Sequence, residues 1–306
     1  MNVLITGGAG YIGTELIASL AKDSSVKKIV VYDNLSRANY NLFIGRDKFR
    51  EGKVHFEQGD ILDSRRLKKV LKGVDVVYHL AAKVTTPFAD QNPHLFEQVN
   101  HWGTAELVYA AETCDISRFI YLSSVSVYGA GQHVEDVKTT LNPRTFYGIS
   151  KMGGEQHVER LMGKFPTYII RCGNVFGYSK SMRFDAVINR FMFDANFKRR
   201  IQIHGDGTQS RAFIHIKDVT SLLSKIPATD LQPGTYNLVK RNISINELVE
   251  QMESVFPDLE LLFMNQHMKL RSITVSNDKR IDKLLENDNL TFVEELREFR
   301  KAFTFS

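Results

Sequence analysis

A glycine-rich turn between an apolar strand and a helix constrains the fold of this chain most strongly. The run from Val3 to Ile5 is short and wholly apolar, as in strands buried on both faces of a parallel sheet. Gly7, Gly10 and Gly13 follow at three-residue spacing, and a helical pattern of apolar residues begins directly after them. Glycines here permit a tight turn and let the backbone approach a pyrophosphate at the helix N-terminus. The context therefore predicts a dinucleotide-binding strand–turn–helix unit.

Strand-like and helix-like segments continue to alternate after this unit, which is the pattern of a doubly wound parallel sheet. Helices are predicted from Asn92 to about Cys114 and from Tyr147 to about Gly163. Further strands are predicted over Lys28–Tyr32, Val54–Gln58, Val74–His79, Arg118–Leu122 and Thr167–Arg171. We therefore expect an α/β, Rossmann-type parallel sheet with a smaller, discontinuous α/β cap that binds the substrate.

Asp33 closes the second predicted strand, twenty residues after Gly13. A carboxylate at this place can accept hydrogen bonds from both hydroxyls of an adenosine ribose, and it would repel a 2′-phosphate. Arg37 leaves an alternative open, because a nearby arginine can accommodate that phosphate. A plain turn role for Asp33 before Asn34 is the other interpretation. The spacing favours NAD over NADP.

Other strand ends carry small or polar residues, at the edge where open α/β sheets bind ligands. Asp60 and Ile61 could flank an adenine with a polar edge and an apolar face, and residues 80–82 let backbone approach a cofactor. His79 closes a buried strand and is expected to be a hydrogen-bonded structural group rather than a catalyst. Ser124 could bind a substrate hydroxyl or simply form a turn, and both interpretations stay open.

Tyr147 and Lys151 lie four residues apart, so on a helix their side chains share one face. A phenol titrates near pH ~10 and is too weak an acid to shuttle protons unaided at neutral pH. An ammonium group held beside it would favour the phenolate and move its pKa toward working pH. The same spacing also occurs on ordinary helix faces, so the pair alone does not establish a catalytic site.

Composition removes several classes of function. The net charge of +5 over 306 residues is spread out, and its basic runs lack the interleaved aromatic residues of a nucleic-acid surface. Only Cys114 and Cys172 are present, without the spacing of a disulfide framework or a zinc site, and no metal is expected. A strand beginning at Asn2 leaves no room for a signal peptide, and no apolar run approaches ~18 residues. We expect a cytoplasmic protein that binds neither nucleic acid nor membrane.

The motifs together resemble the extended short-chain dehydrogenase/reductase family, in its nucleotide-sugar epimerase and dehydratase branch, and UDP-glucose 4-epimerase-like enzymes in particular. The resemblance runs from Asn2 to about Val239 and depends on the order and spacing of modest motifs. These are Thr6–Gly13, Asp33–Ser36, Gly59–Ile61, His79–Ala82, Asn100 before Gly103 and Thr104, Ser123–Gly129, Tyr147–Lys151 with Glu155, Arg171–Gly177 and Gly205–Val219.

The resemblance implies a role for individual residues. Ser124 and Tyr147 would hold the reacting sugar hydroxyl, with Tyr147 as acid/base, while Lys151 would bond the nicotinamide ribose and lower the tyrosine pKa. Asn174, Arg211 and Arg271 would contact the substrate's diphosphate, a task that suits the planar fork of arginine. Cofactor contacts are implied for Gly7, Gly10, Tyr11, Ile12, Gly13, Asp33, Asn34, Asp60, Ile61, Leu80, Ala81, Ala82, Asn100, Ser123, Tyr147 and Lys151.

Departures from the family pattern narrow the chemistry. Sugar-nucleotide 4,6-dehydratases usually carry an acidic residue shortly after the Ser124 position, to remove the C5 proton, but here Val125 and Ser126 follow. Dehydration is therefore disfavoured. Ala212 replaces the aspartate usual after Arg211, and Tyr178 replaces a usual proline, so the substrate side is expected to be unusual.

The function implied is NAD-dependent epimerisation of a nucleotide-activated sugar at C4, through a transient 4-keto intermediate. A nucleotide-4-ketosugar reductase or dehydrogenase would use the same residues, and an inactive dinucleotide-sensing protein is a third alternative. The predicted NAD domain comprises residues 1–174 and 212–240, and the cap comprises 175–211 and 241–306. The expected partners are a nucleotide-diphosphate sugar and, through the helices beginning near Asn92 and Phe146, a second copy in a homodimer. Within the cap, a helix over Ile243–Phe256 and a strand over Leu259–Phe263 are predicted.

Overall fold

Short apolar segments form the strands of the computed structural model, which describes residues 1–44, 48–84, 92–131, 134–265, 267, 270–286 and 290–305. The strands are β1 (Asn2–Thr6), β2 (Lys28–Asp33), β3 (Val54–Gln58), β4 (Val76–His79), β5 (Arg118–Ser124), β6 (Thr167–Cys172), β7 (Asn174–Phe176), β8 (Arg200–His204), β9 (Ser210–His215), β10 (Gly234–Leu238), β11 (Arg241–Ser244) and β12 (Glu260–Met264). The helices are α1 (Tyr11–Lys22), α2 (Ser64–Val70), α3 (Pro93–Phe96), α4 (Gly103–Ala111), α5 (Phe146–Glu159), α6 (Val187–Lys198), α7 (Ile216–Lys225), α8 (Ile245–Glu253) and α9 (Phe292–Lys301).

Seven of these strands form the main sheet, in the order β10-β6-β5-β4-β1-β2-β3, and every neighbouring pair is parallel. The strand order reverses between β1 and β4. Ligands of open α/β sheets bind at such a reversal, beyond the carboxyl ends of the strands. The predicted Rossmann-type fold is confirmed.

Both faces of the sheet are buried, which explains the wholly apolar strands. Val3 and Ile5 on β1 belong to one core cluster, with Leu16 of α1 and Leu222 of α7. Leu4, between them, points to the opposite cluster, which includes residues of α2 and α4. Alternate side chains of one strand thus enter two cores, as the period of a strand requires.

Among the described residues, two smaller sheets and three helices lie apart from the main sheet and the helices that flank it. One sheet has the order β11-β9-β7, and the other pairs β8 with β12. Helices α6, α8 and α9 bury a separate apolar cluster that includes Phe191, Leu248 and Leu296. The predicted domain limits remain a prediction. The expected boundary after Arg211 falls inside β9, which pairs with β11 along one edge and with β7 along the other. None of the described helices is long and apolar enough to cross a bilayer.

Two elements differ from their predicted form. The segment predicted as a helix from Ile243 begins instead with β11, and α8 starts only after Ser244. Ser244 accepts from the backbone of Glu247, whose side chain reciprocates, and this capping box ends the strand and starts the helix. The helix predicted from Asn92 to Cys114 contains a π-helical segment over Glu97–Trp102 between α3 and α4.

Candidate active site

Backbone contacts determine the shape of the glycine turn. Gly7 has a φ of +71°, and a Cβ on it would lie 2.5 Å from the backbone nitrogen of Ala81. A Cβ on Gly13 would lie 2.6 Å from Cα of Gly8. Gly10 is the N-cap residue of α1, and because it has no side chain it does not cap the first N–H groups of the helix. The first N–H groups of α1 are therefore available to an anion, which fits the pyrophosphate of a dinucleotide.

Tyr11 connects the glycine turn to the segment that follows β7. Its hydroxyl donates to the backbone oxygen of Gly177 at 2.6 Å. Burial raises the pKa of the phenol well above its usual value. Tyr11 thus uses its hydroxyl in a structural bond, while Ile12 beside it is partly buried. For both residues a contact with the cofactor remains a prediction.

The carboxylate of Asp33 is held by the backbone around it. Its Oδ2 accepts from the N–H of Ala9 at 3.1 Å and its Oδ1 from the N–H of Leu35 at 2.8 Å. Burial raises the pKa of this carboxyl, although both hydrogen bonds oppose the shift. Asn34 donates to Oδ2 of Asp60 at 3.0 Å, so the ends of β2 and β3 are joined. The residues predicted for the adenosine side lie along these strand ends: Asp33, Asn34, Asp60 and Ile61.

Asn100 supports the segment that follows β4. Its Oδ1 accepts from the backbone N–H of Lys83 at 2.8 Å, and its Nδ2 donates to the oxygen of Lys83 at 2.9 Å and to Oγ of Ser150 at 3.0 Å. Both amide hydrogens are therefore in use. Asn100 fixes the backbone beyond Leu80, Ala81 and Ala82, and its own contact with a cofactor remains a prediction.

His79 has the structural environment that was expected of it. The ring is fully buried, with Nδ1 2.8 Å from the hydroxyl of Thr6 and Nε2 2.8 Å from the hydroxyl of Thr104. Thr104 donates its own proton to Asn100 O at 2.6 Å, so it accepts from Nε2–H and leaves Nδ1 as an acceptor. Burial and the charge of Lys151 hold the histidine pKa well below its usual value. The ring is thus a neutral, fully bonded group.

Ser124, the last residue of β5, and Tyr147 of α5 lie within hydrogen-bonding reach of each other. Burial raises the pKa of the Tyr147 phenol, while the charge of Arg183 and a hydrogen bond with Ser124 act in the opposite direction. The hydroxyl of Ser124 also accepts from the backbone N–H of Ser126 at 3.2 Å and from its hydroxyl at 2.9 Å. The phenol is therefore protonated at neutral pH and has a hydroxyl partner in place.

Lys151 lies on the same helix as Tyr147, and its ammonium group has two contacts of its own. Nζ donates to the backbone oxygen of Leu122 at 2.7 Å and lies 4.1 Å from the ring centroid of Tyr121. Burial lowers the pKa of Lys151 to about 7, with Glu155 opposing the shift. The action of Lys151 on the tyrosine pKa and its bond with the nicotinamide ribose remain predictions, and Arg183 is a second cation whose charge lowers the pKa of the phenol.

We predict opposite effects of Lys151→Met on activity and on stability. Activity should fall about 100-fold, since the cation predicted to act on the acid/base is lost. Between pH about 7 and 10.5 the unfolded chain binds a proton at Lys151 that the folded chain does not, so wild-type stability rises with pH across that window. Methionine carries no such proton, and the variant should therefore gain stability relative to wild type as the pH falls from about 9 to about 7. Urea unfolding at both pH values measures this, and a difference independent of pH would contradict the lowered pKa.

A buried polar network lies behind Ser124. Ser123 donates to Oε1 of Glu155 at 2.5 Å, and Arg171 donates to Glu155 through Nη2 at 2.7 Å. Arg171 also donates to the hydroxyl of Tyr128 at 3.0 Å, which donates in turn to Asn237 at 2.7 Å. Ser123 is thus turned into the core, so its predicted contact with the cofactor would be made without a free hydroxyl proton. The network joins β5, α5, β6 and β10.

A basic cavity with a volume of about 170 Å³ is lined mainly by residues of β7, β8, β9, α6 and the segment before α6. Asn174 and Arg211, both predicted to bind substrate, line it together with Arg183 and Arg190. Arg211 is held by backbone oxygens, with Nη1 donating to Ser210 at 2.9 Å and to Arg271 at 2.5 Å. Three arginines in one cavity attract an anion such as a diphosphate. The predicted residue Arg271 contributes a backbone acceptor to Arg211, and its side chain is not among the groups that line the cavity.

The family of the chain follows from its match to a known family model. The model of the NAD dependent epimerase/dehydratase family matches residues 3–238, more than three quarters of the chain. The protein belongs to this family. It is therefore an NAD-dependent enzyme of the extended short-chain dehydrogenase/reductase type, and NAD is its cofactor.

Relatives within the epimerase/dehydratase family include both reaction types. The chain is 30% identical over 261 residues to human dTDP-D-glucose 4,6-dehydratase, covering 82% of this chain and 73% of that protein. The structure of UDP-glucuronic acid 4-epimerase from Bacillus cereus, with UDP-glucuronic acid and NAD, matches with a TM-score of 0.84 at 25% identity and covers 98% of both chains. UDP-N-acetylglucosamine 4-epimerase from Methanobrevibacter ruminantium M1, in complex with UDP-N-acetylmuramic acid, matches with a TM-score of 0.84 at 27% identity, covering 98% of this chain and 97% of that one.

The two positions after Ser124 distinguish this member of the epimerase/dehydratase family from the pattern expected of a dehydratase. Val125 is buried, and the hydroxyl of Ser126 is bonded to Ser124. Neither position supplies a carboxylate beside Tyr147. Glu155, the acid of the network behind Ser124, is 1% exposed and paired with Arg171.

Several residues of the site were not identified from the sequence. Arg183, Arg190 and His204 line the basic cavity, and Asp185 bonds the Nε of Arg183 at 3.1 Å. They lie outside the family motifs recognised in the chain. No local spacing signals this pairing, because Arg183 lies before the start of α6 and Arg190 lies within it.

Proposed function

We propose that the protein is an NAD-dependent epimerase that inverts C4 of a nucleotide-activated sugar. The observation that carries this proposal is the pairing of Tyr147 with Ser124, at a place where Val125 and Ser126 provide no acid and where the charge of Arg183, a residue of the basic cavity, acts on the phenol. An acid/base without a neighbouring carboxylate can remove and return a hydroxyl proton. It has no partner to take the C5 proton that dehydration releases.

In the proposed reaction Tyr147 exchanges one proton with the C4 hydroxyl. Ser124 holds the same oxygen, as it already accepts hydrogen bonds and lies against the phenol. Proton removal needs phenolate character, and the charge of Arg183 favours it against the effect of burial. NAD, which the glycine turn and Asp33 would hold, would supply the hydride transfer at C4 when bound. Tyr147 then returns the proton.

The basic cavity would hold the diphosphate of the substrate. Arg211 is oriented by two backbone oxygens, so little side-chain freedom remains to be lost on binding. Asn174 donates to the oxygen of Ala212 at 3.1 Å and lies at the same wall. A sugar that pivots about this fixed diphosphate could present either face of C4 to the same proton shuttle.

Turnover of a panel of UDP-, dTDP-, GDP- and CDP-sugars, with products followed by NMR, tests the proposal. The expected product is the C4 epimer, with nucleotide retained by the purified protein and no net change in its oxidation state. A 4-keto-6-deoxy product would show a dehydratase. Stoichiometric release of oxidised cofactor would show a ketosugar reductase, and no reaction with any sugar would favour a dinucleotide-sensing protein.

We also propose a cytoplasmic homodimer. Large apolar side chains are exposed on α4, α5 and the segment before α4, namely Trp102, Tyr109, Phe146 and Ile149. An exposed apolar surface of this kind suits an interface between copies. Sedimentation velocity of the purified protein tests it, and a monomer at micromolar concentration would refute the dimer.

A further inference from the structure

One carboxylate oxygen joins the loop after β2, near the predicted NAD site, to the wall of the basic cavity. Oδ1 of Asp185 accepts from Nε of Arg183 at 3.1 Å and from Nη2 of Arg37 at 3.2 Å. Arg37 lies in the loop after β2, and Asp185 lies just before α6, 148 residues away in the sequence. The ion pair therefore links two segments that meet only in the folded chain.

The loop that carries Arg37 has an unusual backbone. Leu35 and Ala38 have φ values of 57° and 52°, in the left-handed region that residues with a Cβ adopt at a cost. The N–H of Ala38 donates to the oxygen of Leu35 at 2.9 Å, which places Arg37 inside a tight turn. Asp33 holds the start of this loop through the N–H of Leu35. The pair with Asp185 holds its other end.

Arg37 is also the group that could weaken the preference for NAD. Asp33 suits the free hydroxyls of the adenosine ribose and repels a 2′-phosphate, whereas an arginine nearby can accommodate that phosphate. In the structure the guanidinium of Arg37 is directed to Asp185, whose carboxylate balances its charge. Asp185 is 21% exposed and is itself held by Arg183, so this partner is better shielded than Arg37, which is 44% exposed.

We propose that Asp185 is a specificity-determining residue for the cofactor, because it anchors Arg37 away from the adenosine ribose. This role deepens the use of NAD on which the proposed function rests. It assigns part of the choice between NAD and NADP to a residue of the substrate cavity, far in sequence from the glycine turn and from Asp33. Asp185 acts through Arg37 and is a positioning residue.

The test is the binding of NAD and NADP, measured by calorimetry on nucleotide-free protein. Where nucleotide cannot be removed, the two dinucleotides released by acid after exchange in an equimolar mixture give the same ratio. For Asp185→Asn we expect the ratio of the NADP to the NAD dissociation constant to fall about 3- to 10-fold, the range of a partly exposed ion pair. The double variant Asp185→Asn with Arg37→Ala should return this ratio to within about 2-fold of the Arg37→Ala value, since the released arginine is then absent.

Glu112→Gln is the matched control. Oε1 of Glu112 also lies near two cations, Arg160 at 3.2 Å and Lys164 at 3.5 Å, but on the α4 side of the molecule. Glu112→Gln should leave the ratio of the NADP to the NAD dissociation constant unchanged. If Asp185→Asn changes the dissociation constants of NAD and NADP equally, its role is merely structural and the proposal is overturned. A fall in the ratio that persists in the double variant would overturn it as well. The binding measurement requires no turnover and is therefore independent of the sugar panel. Inactivity with every sugar would refute epimerisation, and the ratio of the NADP to the NAD dissociation constant could still be measured.

Discussion

Tyr147→Phe should lower kcat about 1000-fold while the protein remains folded. The phenol is the acid/base of the proposed reaction, and removal of such a group typically costs 10²- to 10⁴-fold, about 3–5 kcal/mol in the barrier. The ring remains available to its edge contact with Phe96, whose centroid lies 6.4 Å away. The basic cavity is untouched, so KM for the nucleotide sugar should change little.

Tyr109→Phe provides the control for this substitution. Tyr109 is 39% exposed on α4, and its hydroxyl takes no part in the proposed site. Steady-state kinetics of both variants, with circular dichroism to check folding, would distinguish them. If Tyr147→Phe keeps more than a few per cent of the turnover, the assignment of Tyr147 fails; if it loses activity only through a raised KM, Tyr147 binds substrate without moving the proton.

Glu155→Gln should destabilise the protein by about 3–5 kcal/mol, because it leaves a buried guanidinium without its counter-charge. Arg171 is 5% exposed and Glu155 1% exposed, and the pair is joined through Nε at 3.1 Å and Nη2 at 2.7 Å. Ser123 would lose a charged acceptor at the same time. Urea unfolding should show a lower midpoint with an unchanged slope.

An exposed pair gives the comparison. Glu57→Gln removes the partner of Arg66 at 3.2 Å, with both side chains 44% exposed, and should change stability by less than about 0.5 kcal/mol. Replacing both buried partners, with Glu155→Leu and Arg171→Met, should recover much of the loss, since apolar side chains need no counter-charge. Equal effects of Glu155→Gln and Glu57→Gln would contradict the cost assigned to the buried charge.

Much of the NAD-binding half could be predicted because its signals are local. A strand, a glycine turn and a helix occur within the first 22 residues, and Asp33 follows at a spacing fixed by one helix and one strand. The elements near Ser244 were harder, because strand and helix meet there within one apolar pattern and only the capping box separates them. The π-helical segment at Glu97–Trp102 leaves no mark in the apolar periodicity.

The sequence by itself determined the sheet, the dinucleotide turn and the chemical identities of Ser124, Tyr147 and Lys151, since these depend on short spacings and residue type. Only the tertiary structure decided which charges meet. It bonds Lys151 to the backbone oxygen of Leu122, lets the charge of Arg183 act on Tyr147, and joins Arg37 to Asp185. The physical reason is that burial and Coulomb interactions act across distances of a few ångströms between segments far apart in the chain, and no local pattern encodes those distances.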